Sequence, residues 1–450
     1  MGTPAEKDID ITSTYVSIDR ECVEMVVAYR STLSNQQEQR EMGEKGGIIS
    51  RHIYDQHSNQ INREICEECN QLCNSSGWCN HCCAKRFQQD FKNWTSGNDI
   101  VDKFIQDVQL KACNSDETLE WVPFEKFKDV TYLSKGGFGT VYRARWPDGY
   151  ILRWNKTKWD RSFDKDVCLK SLNDSTDISS EFLQEVRSQL KLRKKSAAIA
   201  IYGITKDPVT NNYIMIMDYA KEGSLRKLLN NKFNKLDWDD KVAHIYLVIN
   251  NLNEIHKEGL VYKDFHPDFG MCRPVSQLKA SNEIYGVLPY VAPEILTGQE
   301  YIKSSDIYSL GIIMSEILTG YPPYHDISHD AYLATQILTG LRPKIHCSIP
   351  KLLMDVIKRC WNADPDSRPT SEELLNIFNQ WKTEEWGYFI DKSSELYKQI
   401  QEINKESTGY DPKNFVPNPR AFYTSRLLSF SNTSIPRNVD TCVDESDEAD

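Results

Sequence analysis

The segment Leu133-Ser134-Lys135-Gly136-Gly137-Phe138-Gly139-Thr140-Val141-Tyr142 constrains this chain more than any other. Glycines at 136, 137 and 139 stand between two β-prone runs. They specify a hairpin whose backbone can come close to a phosphate, because a residue without Cβ leaves room and accepts positive φ. The first position of a G-x-G-x-x-G pattern is Ser134, so the match is partial. A glycine-rich turn with no ligand reads as well from this segment alone. Downstream, Val167-Cys168-Leu169-Lys170 is a second β-prone run. It matches V-A-I-K with Cys for Ala, and a lysine at that place pairs the α- and β-phosphates of a nucleotide. A helical pattern over 179–195 follows and offers Glu185 as the partner that orients Lys170. Tyr213–Ala220 then reads as a buried strand running into a polar linker, and Glu222-Gly223-Ser224-Leu225 opens a helix.

Further motifs come in a fixed order: Asp268-Phe269-Gly270, Ala292-Pro293-Glu294, Asp306-Ile307-Tyr308-Ser309-Leu310-Gly311, and Cys360-Trp361 with Asp364-Pro365-Asp366-Ser367-Arg368-Pro369. With the hairpin and the lysine, this series resembles the protein-kinase family over residues 124–383. Gly286-Val287-Leu288-Pro289-Tyr290 and the Cys-Trp pair look most like the tyrosine-kinase-like group, and the layout resembles an expanded fungal set of such kinases. The resemblance implies an α+β fold of two lobes, a small antiparallel sheet with one helix and then a larger helical lobe. It implies ATP and Mg2+ as cofactors, and transfer of the γ-phosphate to Ser, Thr or Tyr hydroxyls of protein substrates in signalling. By the same resemblance Gly136, Gly137, Gly139 and Val141 cover the nucleotide, and Met217 stands at the back of the adenine pocket. The backbone of Asp218, Tyr219 and Ala220 would bind adenine. Lys170 pairs with Glu185, Asp264 is the catalytic base, and Asp268 holds Mg2+. Glu294 and Arg368 would form a buried structural pair, with Asp306 and Trp361 structural as well.

One stretch departs from the family. Tyr262-Lys263-Asp264 stands where H-R-D belongs, and H-R-D-L-x-x-x-N would place Asn at position 269. That position is Phe269, inside Asp268-Phe269-Gly270. The magnesium-binding Asn is absent, as is the hairpin that separates the two motifs. Four residue steps reach at most about 14 Å, enough to place both aspartates in one cleft. The missing hairpin also supplies apolar floor to the adenine pocket, and Lys263 cannot make the bidentate phosphate contact of an arginine. Two explanations stand: a catalytically dead pseudokinase scaffold, or a segment lost from the sequence between Pro267 and Asp268 while the parent gene encodes a working enzyme. As written, the chain is expected to transfer phosphate poorly or not at all. Ser276, Ser281 and Tyr285 lie where activation phosphates occur, although each is ordinarily plain surface.

Upstream, Cys66-Glu67-Glu68-Cys69 and Cys79-Asn80-His81-Cys82 make C-x2-C-x9-C-x2-C. Two such knuckles can aim Cys66, Cys69, Cys79 and Cys82 at one tetrahedral, structural Zn2+. Cys73, His81 and Cys83 are spare ligands, and the plain alternative is a small core of reduced thiols. A third reading of the chain follows, a zinc-dependent interaction module with a vestigial kinase domain. The chain has thirteen cysteines, an odd number, and starts without an apolar leader; reduced thiols and a cytoplasmic location are expected, with the nucleus open. No apolar run reaches 18 residues, and the net charge is −11, so membrane spans and nucleic-acid binding are not expected.

Four regions result: 1–60, polar with a helix near Tyr15–Leu33; 61–115, the cysteine module and one amphipathic helical pattern through Phe87, Phe91, Trp94, Ile100, Phe104 and Val108; the large domain 124–383; and 384–450, a helix through 393–403 followed by a disordered tail rich in Ser, Asn and Pro with an acidic end. His256 and His266 have no metal spacing and read as structural.

Overall fold

In the computed structural model, residues 65–74, 78–136, 139–172, 200–219, 224–257, 284–383, 389–406 and 416–428 are described, with isolated positions 182–183, 186–187, 190, 259, 261 and 265. The expected helix near Tyr15–Leu33 lies outside them.

The amphipathic pattern after the cysteines forms two helices, not one: α1 (Asn80–Asp90) and α2 (Asp99–Lys111). Asn98 makes the break. Its side chain accepts the N–H groups of Ile100 and Val101 at 2.9 and 3.3 Å, which caps α2 and starts it in a new phase. Ile100 therefore turns to solvent at 61% exposure, whereas Val101, Phe104 and Ile105 are buried.

The small lobe is a six-stranded sheet, one strand wider than its antiparallel part. Strand β1 (Glu120–Trp121) is followed by β2 (Lys128–Gly136) and β3 (Gly139–Trp146), then by a separate hairpin of β4 (Ile151–Trp154) and β5 (Trp159–Arg161). Strands β6 (Lys165–Leu172), β7 (Ile201–Lys206) and β8 (Tyr213–Asp218) complete it, in the order β1-β7-β8-β6-β3-β2. All pairs are antiparallel except β1 with β7, an edge the sequence did not announce. Gly203 permits that edge, because a Cβ there would run into the carbonyl oxygen of Glu120. One sheet face carries Val167, Leu169, Ile214 and Ile216 into a cluster with Trp146. The other carries Met215 and Met217 into a cluster with Phe182, Val186 and Leu190, whose four-residue spacing is that of the expected helix over 179–195.

The large lobe follows in helices α3 (Leu225–Lys232) and α4 (Trp238–Lys257), the short strand β9 (Ile284–Gly286), and helices α5 (Lys303–Thr319), α6 (Ala331–Leu338), α7 (Lys351–Cys360), α8 (Ser371–Asn379) and α9 (Glu395–Glu406). Helix α5 is buried at every residue from Ser305 to Thr319 and is the axis of the lobe. Ser224 caps α3 by accepting the Lys227 N–H at 3.1 Å. Asp239, in the first turn of α4, accepts the N–H groups of Phe389 and Ile390 at 2.8 and 2.7 Å, so the lobe continues past residue 383. Leu396 and Ile400 of α9 enter its core. The chain beyond Pro417, expected to be disordered, is ordered as far as Leu428: strand β10 (Arg426–Leu428) pairs antiparallel with β9. Residues 429–450 lie outside the described residues.

Candidate functional site

Lys170 sits in β6 and is only 7% exposed. The register places it opposite Val141 of β3 and Met215 of β8, so these three side chains form one row on one sheet face. The next row joins Cys168 to Met217. An amine held this deep needs an anionic or strongly polar environment, which suits a phosphate-facing lysine. Met217 is buried among Phe182, Val186 and Leu190, at the inner end of the strand. Gly136 and Gly139 are paired across the β2–β3 hairpin.

The linker after β8 begins with both of its first N–H groups occupied. The Asp218 N–H donates to the Ala200 carbonyl at 2.8 Å, and the Tyr219 N–H donates to the Asp218 carboxylate at 3.0 Å. That carboxylate is also paired with Lys165 at 2.7 Å, and the Tyr219 ring lies 4.9 Å below the Arg143 guanidinium. Gly137, Glu185, Ala220, Asp264 and Asp268 lie outside the described residues. Beside Asp264, Val261 and Phe265 are buried, and Phe265 belongs to the core of the large lobe.

The structural pair anticipated in the large lobe is present. Arg368 donates to Glu294 through two parallel bonds of 2.8 Å, with the two side chains 0% and 4% exposed. Ser305 also donates to this carboxylate, at 2.7 Å. His256 bridges Asp306 at 3.0 Å and Ser371 at 3.1 Å, deep in the core, a structural role.

At the other end, the sulfurs of Cys66, Cys69, Cys79 and Cys82 all lie within 4.8 Å of one another. The Cys66–Cys82 and Cys69–Cys79 separations are 3.8 and 3.4 Å. Zn–S bonds of about 2.3 Å in tetrahedral array put sulfurs about 3.8 Å apart, so the set fits such an ion. The first knuckle is shaped by the Cys66 N–H donating to the Gln71 carbonyl and the Asn70 N–H donating to the Cys66 carbonyl, both at 2.8 Å, with Asn70 at φ 57°. Cys79 stands at the N-cap position of α1 and Cys82 lies in its first turn. Burial raises the Cys66 thiol, but N–H groups of Glu68 and Cys69 overcome it and bring it down to about 7. Of the spare candidates, Cys73 packs beside the four, His81 is exposed, and Cys83 turns into a separate cluster where burial pushes its thiol up to about 11.

That separate cluster joins the cysteine module to the small lobe. Trp159 of β5 stacks on Phe87 of α1 with centroids 4.7 Å apart and lies 5.7 Å from Trp78. Arg86 lies 4.3 Å over Trp154, Lys156 pairs with Glu67 at 2.5 Å, and the Trp78 indole donates to the Ala112 carbonyl at 3.1 Å. Arg161 holds Glu120 of β1 at 2.8 Å. Helix α2 packs Val101, Phe104 and Ile105 against Phe182, Val186 and Met217, and Arg187 lies 5.3 Å over Phe104. The module and the sheet are therefore one packed unit. The available signal was Trp154 and Trp159 flanking the polar turn Asn155-Lys156-Thr157-Lys158, a hairpin with aromatic arms.

A family model described as protein kinase domain matches residues 127–378. A probable serine/threonine-protein kinase of Dictyostelium discoideum is 26% identical over 278 residues, covering 58% of this chain and 28% of that protein. The protein kinase and PP2C-like domain-containing protein of Arabidopsis thaliana is 26% identical over 339 residues, covering 63% of this chain and 48% of its own length. Human mitogen-activated protein kinase kinase kinase 7 is 24% identical over 286 residues, covering 57% of this chain and 42% of that protein. The chain thus spans less than half the length of each of these relatives. The first alignment runs over 278 positions but uses 58% of 450 residues, so that relative carries residues this chain lacks within the matched stretch.

Proposed function

The chain belongs to the protein kinase family, and from that premise we propose that its small-lobe face binds Mg-ATP for transfer of the γ-phosphate to Ser or Thr hydroxyls of proteins, at a rate held down by the shortened catalytic loop. The row Val141–Lys170–Met215 carries this reading, because it sets a buried lysine beside the glycine hairpin on the face where the helical stretch packs. The hydroxyl specificity rests on the likeness to serine/threonine-protein kinases alone.

Bound Mg-ATP supplies the phosphoryl group. Lys170 would hold the α- and β-phosphates, and Glu185 would keep its ammonium aimed at them. Gly136, Gly137 and Gly139 would let the backbone close over the phosphates, with Val141 covering the base. Since the Asp218 and Tyr219 N–H groups are internally bonded, the adenine edge is left the Asp218 carbonyl and the Ala220 N–H. Asp264 would accept the proton of the attacking hydroxyl and Asp268 would hold Mg2+. With no Asn at position 269, one magnesium ligand of the family is missing, which lowers the rate of transfer rather than nucleotide capture alone.

We take the four-sulfur centre as a structural Zn2+ site of Cys66, Cys69, Cys79 and Cys82, whose knuckles leave no open coordination position for catalysis. None of the ten described cysteines is in a disulfide, which suits a cytoplasmic protein. No helix among the described residues is long and apolar enough to cross a membrane.

The test has two parts. Mg-ATP binding is measured by calorimetry on the full chain and on Lys170→Ala, and phosphate transfer to a generic protein acceptor is followed with labelled ATP. Nucleotide binding lost in Lys170→Ala supports the site; equal binding by both chains removes it. Transcripts are sequenced across the Pro267–Asp268 junction. An in-frame insert encoding Asn five residues after Asp264 makes the parent protein a competent kinase. A direct junction with no detectable transfer makes the pseudokinase scaffold the correct reading.

A further inference from the structure

The segment after Pro417 is bound to the large lobe as a ligand would be. Strand β10 aligns Arg426 with Gly286, Leu427 with Tyr285 and Leu428 with Ile284, antiparallel to β9. Among the described residues β9 has no other strand partner. β9 leads directly into Ala292-Pro293-Glu294 and directly follows the stretch that, on the kinase reading, runs from the magnesium aspartate. An edge of this kind takes any extended chain that offers matching N–H and C=O groups.

The rest of the segment is held by the loop between α5 and α6. The Asn418 N–H donates to the His325 carbonyl at 2.7 Å, and the His329 N–H donates to the Arg420 carbonyl at 3.0 Å. The Phe422 N–H donates to His329 Nδ1 at 3.0 Å, the Tyr423 hydroxyl donates to the Pro323 carbonyl at 3.1 Å, and Arg426 donates to the His329 carbonyl. The Tyr423 ring lies 4.4 Å under Arg226 of α3, which is itself paired with Glu316 of α5 at 2.8 Å. Leu428 is buried in the lobe's core at 5% exposure. Most of these bonds use the backbone of the segment. Side-chain selection falls on three positions: an aromatic at 423, a basic residue at 426 and an aliphatic at 428. Between the first two lie the hydroxyls of Thr424 and Ser425.

We propose that β9 and the α5–α6 loop form the docking surface for an extended segment of a protein substrate, and that residues 416–428 occupy it in cis and must leave before a substrate enters. This rests on the kinase reading for what the visitor is. The substrate segment that fits carries an aromatic residue, then an arginine or lysine three positions on, then an aliphatic residue two positions further.

The probe is a fluorescein-labelled synthetic peptide of residues 416–428, followed by anisotropy against the full chain and against the full chain carrying Leu428→Asp. The variant should bind it ~tenfold more tightly than the unaltered chain, since the tail no longer competes at high effective concentration. The same peptide carrying Tyr423→Ala and Arg426→Glu should bind neither. Equal binding to both chains, or none to the variant, overturns the proposal. If Leu428→Asp unfolds the lobe, amide exchange on the unaltered chain decides. Excess unlabelled peptide must speed exchange at Arg426–Leu428 while Ile284–Gly286 stay protected, and unchanged exchange overturns it. Neither readout uses ATP or phosphate transfer, so a dead catalytic loop leaves both intact, and their failure leaves the family assignment standing.

Discussion

Trp159, on the β4–β5 hairpin of the small lobe, stacks on Phe87 of the cysteine module with ring planes 16° apart. Trp78 closes the other side of the same cluster at 1% exposure. The contact joins residues 72 positions apart and makes the hairpin a clamp on α1. Trp159→Ala should lower the unfolding free energy by about 2–4 kcal/mol, the range for losing a large, partly buried aromatic with a stacked partner. Thr157→Ala, at the exposed hairpin tip, should change it by less than about 0.5 kcal/mol. Urea titration of the full chain followed by tryptophan fluorescence checks both. A Trp159→Ala effect no larger than that of Thr157→Ala would mean the clamp contributes nothing.

Metal removal acts on the same cluster from the other side. Cys79 stands at the N-cap position of α1 and Cys82 lies in its first turn, so an ion held by these sulfurs would fix the end of the helix that carries Phe87. A chelator, or Cys66→Ser, should loosen α1 and wet the rings of Trp78 and Trp159. The expected result is a red shift of tryptophan emission and a lower melting temperature, both restored by adding Zn2+. Metal analysis should give about one zinc per chain. A chain that melts and fluoresces identically with and without chelator has no structural ion there.

How much of this was legible follows from how local each signal is. The glycine hairpin, Lys170 in its strand, the helix opening at Ser224-Leu225 and the Glu294–Arg368 pair were read from residue types at family spacing, and the described residues place them accordingly. The parallel edge β1 was not legible, since two residues carry no periodicity and its presence depends on the missing Cβ of Gly203. The phase of α2 was misread because Asn98 resets it and turns Ile100 outward. The tail was misread for a thermodynamic reason. Its Pro, Asn and Ser content cannot bury enough surface alone, but β9 supplies a ready edge and the core a place for Leu428. Asp264, Asp268 and Glu185 stay as the sequence left them, outside the described residues.

Arg368 and Glu294 make a doubly hydrogen-bonded pair that solvent does not reach. Arg368→Ala leaves a buried carboxylate uncompensated and should destabilise the large lobe by about 3–5 kcal/mol. Arg368→Lys should recover less than half of that, because an ammonium cannot make both parallel bonds. The double replacement Glu294→Gln with Arg368→Met should be milder than Arg368→Ala alone, as no charge is stranded. Denaturant melts of the three variants test the order. A double variant worse than the single one would show that the pair contributes through packing and not through charge.

Docking of residues 416–428 should depend on pH through His329. Its ring is buried, which lowers its pKa, and Arg426 and Arg226 lower it further against the hydrogen bonds to Phe422 and Tyr324. With the tail in place Nε2 lies 3.2 Å from the Tyr324 carbonyl, and Nδ1 lies 2.8 Å from the Phe422 carbonyl and 3.0 Å from the Phe422 N–H. The charged groups facing it are the guanidiniums of Arg426 and Arg226, and the Tyr423 ring lies edge-on with its centroid 4.9 Å away. The sign follows from proton counts. Detached, the ring returns toward its ordinary value of 6.5 and binds more protons than when docked. The contribution to docking is therefore complete above about 6.5 and is lost progressively as pH falls below it. Amide exchange at Arg426–Leu428, corrected for intrinsic rates, should be faster at pH 5.5 than at pH 7.5, and His329→Gln should flatten the difference. Equal protection at both values in the unaltered chain would show that the tail is held without the imidazole.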